Sequence, residues 1–218
     1  METSQIPAPL RAQIFITREL SDRPERGKDW SRAKSAVQEL AVQISADPDH
    51  VLPRFVELAM EMTAGSSAGL SLFEDDAPPP GVFRWHHLIG TLAPFNGGTT
   101  PRNYSPCGVT LEDAAPVLVE HPERAYQWLV DANVVLPEVL LVPLFLGGPE
   151  PLGTLWIVSE TGNHFDSGDA RLATELAGFV GMALRMRRNR QRLRAAMRAQ
   201  DVPARDTNQY LSAAVRPS

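Results

Sequence analysis

The chain has 218 residues, 43% apolar and 22% charged, an ordinary globular balance that excludes a wholly disordered or fibrous chain. The longest apolar run, Val139 to Leu146, spans eight residues and contains Pro143, far short of the ~18 that a membrane span needs. Glu2 without a basic or apolar leader points to the cytoplasm, and the lone Cys107 excludes an internal disulfide and a Cys-rich zinc site.

Charge is unevenly spread. The total is −5, yet Arg185 to Arg198 holds seven arginines and no acid, leaving 14 basic against 26 acidic residues elsewhere. A basic arm of this kind can mark nucleic-acid binding. The acidic body opposes phosphate over the screening length, so the arm is read as a solvated helix face, with neither nucleic acid nor membrane as partner.

In chain order, residues 1–28 carry Pro7, Pro9, Pro24 and one apolar patch, Ile14-Phe15-Ile16, and read as an arm that packs locally. Asp29 is the N-cap expected for a helix from Trp30 to Ser45, whose apolar face is Ala33, Val37, Leu40, Ala41 and Ile44. Asp47-Pro48-Asp49 ends it and starts another, with Leu52, Phe55, Val56, Ala59 and Met60 as its stripe and Gly65 as its stop. Ala68–Phe73 and Val82–Ile89 read as strands across a polar, Pro-rich turn.

The pattern loosens from Gly90 to Pro137, with loops at Asn96-Gly97-Gly98 and Pro101–Gly108 and a short helix expected over Pro122–Val130. Val139–Leu146 and Leu152–Ser159 form a hairpin pattern. Phe165-Asp166-Ser167-Gly168-Asp169 opens a long final helix. The sum is an α+β domain whose antiparallel sheet carries helices on one face.

Leu172, Leu176, Phe179, Ala183, Met186, Arg190, Leu193 and Met197 follow one another at steps of 4 and 3, a heptad seam with one polar member. Its first half fits docking onto its own sheet. The second half fits a parallel pair of chains or, failing that, a solvated tail. Asp201–Ser218 has no apolar period and reads as disordered.

Chemistry-bearing residues concentrate in the insert. Strict alternation along Val82–Ile89 places Phe83, Trp85, His87 and Ile89 on one face. A face with Trp and His under a Gly/Pro-rich loop is how a small-molecule pocket is lined. Cys107, in a Ser-Pro-Cys-Gly turn, is either an exposed thiol or a small buried hydrophobe. His121 follows fourteen residues later, but the sequence does not bring the two together, and there is no resolving thiol. Asn96–Thr100 lacks the lysine of a phosphate loop, and there is no His-x-x-His pair. No catalytic constellation emerges.

Several stretches resemble a known family. They are Leu20–Arg26, Ser67–Leu72, Phe83–His86, Gly97–Gly108, His121–Arg124, Leu141–Leu144, Gly153–Val158 and Phe165–Asp169. Together they resemble the GAF sensory domain, in the version at the N-terminus of bacterial sensor histidine kinases, over roughly Leu10 to Leu184. The resemblance implies a six-stranded antiparallel sheet between helices, a pocket between sheet and insert, and dimerisation through terminal helices. The expected organisation is an arm (1–28), a GAF-like sensor domain (29–184), a basic signalling or coiled-coil helix (185–200) and a tail (201–218).

The implied function is non-catalytic. A small cytoplasmic ligand would be held by Trp85, His87, Tyr104, Cys107 and His121, and the change would pass along the last helix of a homodimer to a histidine kinase or other signalling partner. Bilin-binding relatives attach the chromophore through a cysteine followed by histidine, whereas Gly108 follows Cys107, and the Asp-Ile-Pro motif is absent. A bilin photosensor through Cys107 and a ligand-free dimerisation module are the alternatives. Relatives that reduce free methionine sulfoxide rely on several cysteines.

Overall fold

A computed structural model describes residues 6–46, 50–74, 81–145, 148 and 150–200. The expected turn at 47–49, the Pro-rich turn at 75–80, most of the hairpin connection and the tail 201–218 lie outside the described residues. In chain order the elements are α1 (Ala8–Ile14), α2 (Glu19–Asp22), α3 (Trp30–Ala46), α4 (Val51–Thr63), β1 (Ser67–Glu74), β2 (Val82–Gly90), β3 (Thr99–Pro101), α5 (Pro106–Asp113), β4 (Val117–Glu120), α6 (Gln127–Asp131), β5 (Glu138–Phe145), β6 (Pro151–Ser159) and α7 (Ser167–Gln200). The strands form one sheet in the order β3-β2-β1-β6-β5-β4, every neighbouring pair antiparallel.

The two faces of the sheet bury different partners. Leu70, Leu140, Val142, Leu144, Leu155 and Ile157 pack with Leu40 of α3, Leu52 and Phe55 of α4, and Leu172 and Leu176 of α7. The alternate residues Val139, Leu141, Trp156 and Val158 join Cys107 and Leu111 of α5 and Leu129 of α6 in a second core. Both strands of the β5–β6 hairpin are therefore apolar on both sides, as strands sandwiched between two layers are. The long helices take one face, as expected, and the short helices of the insert take the other.

Local chemistry explains most boundaries. The Arg32 N–H donates to Asp29 Oδ1 at 2.8 Å, the N-cap the sequence predicts for α3. After Thr63, Ala64 turns left-handed and Gly65 N–H closes on the Met60 carbonyl. The helix expected over Pro122–Val130 is instead a 3-10 turn (Pro122–Arg124) followed by α6, because Tyr126 is extended between them. The loop expected over Pro101–Gly108 already contains the start of α5. Ser105 Oγ caps it by accepting from Gly108 N–H at 3.3 Å, and Pro106 sits in its first turn. A Cβ on Gly108 would collide with the Arg102 carbonyl oxygen.

The N-terminal arm is fastened to the start of α7 rather than merely resting on the surface. Ile14 is fully buried and Phe15 bridges to Val119 beside β4. Arg23 reaches the buried Glu138 at 2.8 Å. Arg26 pairs with Asp166 and Asp169, and Lys28 Nζ lies 2.7 Å from Asp169. The Asp166 carboxylate also accepts from the N–H groups of Gly168 and Asp169, so two acids sit at the positive end of the helix dipole.

Candidate ligand-binding cavity

A break in the alternation of β2 shapes the site. Ala68 opposes Ile89 and Leu70 opposes His86, so His87 and Leu88 together face Gly69. This is a β-bulge, and His87 carries the left-handed φ of 55°. Leu88 consequently joins Phe83 and Trp85 in the insert-side core, while Ile89 packs on the opposite core. The expectation that Phe83, Trp85, His87 and Ile89 share one face is thus corrected at its second half.

Between the sheet and the insert lies a cavity of about 60 Å³. Its floor is Ser71 of β1, Trp85 of β2, Thr100 of β3, Val139 and Leu141 of β5, and Trp156 and Val158 of β6. Its roof is Leu92, Phe95, Ser105, Pro106, Cys107, Pro122, Trp128, Leu129, Ala132, Val134 and Leu136. Trp85 is the hub of the aromatic part. Its ring centroid lies 5.8 Å from Trp128, 6.2 Å from Trp156 and 6.4 Å from Phe95, each edge to face. Trp156 Nε1 donates to Ser71 Oγ at 3.2 Å, and Trp128 Nε1 to the Tyr104 carbonyl at 3.1 Å. Among the described residues, no Asp, Glu, Lys, Arg or His side chain lines the cavity.

Of the residues singled out by sequence, Trp85 and Cys107 are in the wall; His87, Tyr104 and His121 are not. His87 is removed by the bulge. Tyr104 braces the roof instead: its hydroxyl donates to the Ala125 carbonyl at 2.7 Å, accepts from Gln127 N–H, and its ring stands 5.2 Å from Tyr126. His121 turns toward solvent, its Nδ1 2.8 Å from Glu123 Oε1, while its neighbour Pro122 faces inward. Glu123 in turn accepts from Leu136 N–H, which ties two roof segments together.

Cys107 is 7% exposed, and Thr154 Oγ1 donates to its sulfur at 3.2 Å. Desolvation pushes the thiol above its ordinary value despite hydrogen bonds from Ser71 and Thr154, so at neutral pH it stays protonated and a weak nucleophile. Sequence reasoning missed Thr100 and Trp156 as wall residues. Trp156 was within reach, since alternation along β6 sets it beside Val158; Thr100 sits in a three-residue strand that gives no pattern. Among the described residues, no group of three His, Cys, Asp or Glu side chains could hold a metal ion, and no helix is long and apolar enough to cross a membrane.

The antiparallel sheet thus has three long helices behind it and an insert folded over a cavity in front. The GAF domain family matches residues 45–185, and the chain belongs to that family, whose members are generally sensory and regulatory. The fold is similar to the GAF domain of a phosphoenolpyruvate-protein phosphotransferase from Coxiella burnetii, with TM-score 0.63 and 16% identity over 75% of this chain and 98% of that one. It is also similar to the free methionine-R-sulfoxide reductase of Neisseria meningitidis in complex with its substrate, with TM-score 0.57 and 18% identity over 74% and 93%. A far-red-absorbing dark state with bound biliverdin IXa is a further likeness, with TM-score 0.54 and 13% identity over 69% and 98%. No curated protein matches the chain in sequence.

Proposed function

We propose that the chain is a non-catalytic regulatory GAF domain of bacterial signal transduction, which binds a small cytoplasmic molecule in the cavity and relays its presence through α7. One observation carries this reading. Successive residues of β5 and β6 alternate between the cavity floor (Val139, Leu141, Trp156, Val158) and the core under α7 (Leu140, Val142, Leu155, Ile157). A ligand that shifts the floor by a fraction of an ångström shifts the packing of the same strands against α7, because close-packed layers transmit displacement. Ligand preference for one arrangement then biases the population.

The output end is the distal part of α7. Leu172 and Leu176 are buried in the domain's own core, whereas Met186, Leu193 and Met197 are 44%, 63% and 55% exposed. The surroundings of Ala183 lie outside the described residues. Exposed apolar residues at heptad spacing support pairing with a second copy, and a histidine kinase or other signalling protein is the downstream partner we favour. Sedimentation velocity tests the pairing. The chain is expected to sediment as a dimer and a Leu193→Glu variant as a monomer; a monomeric parent chain would contradict it.

Cys107 in the wall is the one feature that favours a bilin photosensor. A linear tetrapyrrole has four rings and two carboxylates, and neither the volume nor the uncharged wall suits it. Co-expression with a bilin pathway is expected to give no covalent visible absorbance; absorbance abolished by Cys107→Ala would reinstate that reading.

A further inference from the structure

We infer that the cavity's ligand is a small uncharged ring compound of about the size of phenol, whose single hydrogen-bonding group meets the Thr100 hydroxyl; this assignment rests on the cavity being the sensor's ligand site. Volume sets the size. At about 10–15 Å³ per water centre, 60 Å³ accommodates roughly four to six waters, or about 120–180 Å³ of displaced liquid. One six-membered ring with a substituent fills that space and two fused rings exceed it.

Charge sets the class. With no basic or acidic side chain in the wall among the described residues, a carboxylate, phosphate or ammonium group would be buried without a counter-charge, which a ligand avoids at large cost. The aromatic faces and edges of Trp85, Trp128 and Phe95 offer a ring the offset and edge-on contacts it prefers.

Hydrogen bonding sets the functional group. The polar side-chain atoms of the wall are otherwise occupied: Ser71 Oγ accepts from Trp156 and hydrogen-bonds to Cys107, Ser105 Oγ caps α5, and the sulfur accepts from Thr154. Thr100 Oγ1 is the exception. The residue is 3% exposed and its hydroxyl is buried with no hydrogen-bond partner. Buried hydroxyls are normally satisfied; this one is closed off as it stands, and a turn of the Thr100 side chain would bring it to a ligand hydroxyl or carbonyl in the cavity whose wall the residue forms.

The test uses the indole N–H signals of the full chain in proton–nitrogen NMR. Three of the four tryptophans line the cavity, and Trp30, stacked under Arg171 on the surface, is the internal control. Phenol is expected to move the signals of Trp85, Trp128 and Trp156 and leave Trp30 still, and to bind about tenfold tighter than toluene, the value of one net hydrogen bond. Thr100→Val is expected to weaken phenol to the level of toluene while leaving toluene unchanged, and Thr100→Ser to restore the preference. Benzoate and tetramethylammonium are expected to leave all four signals in place.

Equal binding of phenol and toluene, tighter binding of benzoate or tetramethylammonium, or no response of the three cavity indoles to any probe would overturn the assignment. The two readings fail separately. A charged probe that fills the cavity and moves α7 sinks the ligand class and keeps the relay, whereas phenol that fills the cavity without affecting α7 sinks the relay and keeps the ligand class.

Discussion

Replacing Glu138 by Gln removes a charge from the interior without changing its shape. The side chain is fully buried, and its carboxylate takes three backbone hydrogen bonds and one ion pair. Oε1 accepts from the N–H groups of His164 and Phe165 at 2.9 and 2.7 Å; Oε2 accepts from Asn163 N–H at 2.9 Å and lies 2.8 Å from Arg23 Nη1. A glutamine keeps one oxygen and its two bonds, but turns an amide donor toward two other donors. Two charge-assisted bonds are lost, at about 1.5–3 kcal/mol each, and Arg23 loses its buried counter-ion. The expected destabilisation is about 4 kcal/mol.

At roughly 2–4 °C per kcal/mol for a chain of this size, the melting temperature should fall by about 8–16 °C. Urea unfolding followed by tryptophan fluorescence measures this directly, with a lower midpoint and an unchanged slope. Exposed Glu160 serves as control, its Gln variant staying within about 0.5 kcal/mol. A Glu138→Gln loss below about 1 kcal/mol would refute the claim that this carboxylate pins the arm and the entry to α7.

Three other outcomes are expected. Burial alone would raise Asp166, but hydrogen bonds from the Arg26 N–H and guanidinium and from Asp169 N–H, with Lys28 nearby, hold it at about 2. A carboxylate depressed in the folded state stabilises fully above its unfolded value near 4 and loses that contribution as pH falls toward 2. Wild type should therefore exceed Asp166→Asn by about 2 kcal/mol at pH 7 and converge with it below pH 4; a gap constant down to pH 2 would count against this. Cys107 should react with iodoacetamide at least about a hundredfold more slowly in the native chain than in urea, because the buried thiol is both shielded and protonated, and equal rates would show an open thiol. In Gly69→Ala the new Cβ would lie 2.6 Å from Trp156 Cζ2 and 2.9 Å from Leu88 Cδ1, so a cost of about 1–3 kcal/mol and an altered tryptophan emission are expected, and an unperturbed emission spectrum would contradict that packing.

What could be read from sequence depended on whether the signal was local. Asp29 before an apolar period fixes α3, and the two-sided apolar runs of β5 and β6 are unmistakable as buried strands. Cys107 and Trp85 stood out as cavity residues because they are unusual residues in an irregular insert. His87 was misplaced for a definite reason: period-two alternation presumes an unbulged strand, and nothing in His86-His87-Leu88 announces the extra residue opposite Gly69. Strands β3 and β4, three and four residues long, are too short to show a period. The clamp from Arg23, Arg26 and Lys28 onto Glu138, Asp166 and Asp169 joins positions more than a hundred residues apart, and charge patterning along the chain carries no information at that range. Thr100 became meaningful only as a buried wall residue whose hydroxyl has no partner.

The most direct test of the coupling between cavity and helix is a pulsed electron spin resonance distance between two copies labelled at Arg192→Cys, an exposed position outside the apolar seam, with Cys107 left in place as a buried thiol. With phenol filling the cavity, as monitored by the three indole signals, the interlabel distance distribution should shift from that of the empty protein. Superimposable distributions in a dimer whose cavity is demonstrably occupied would contradict the relay.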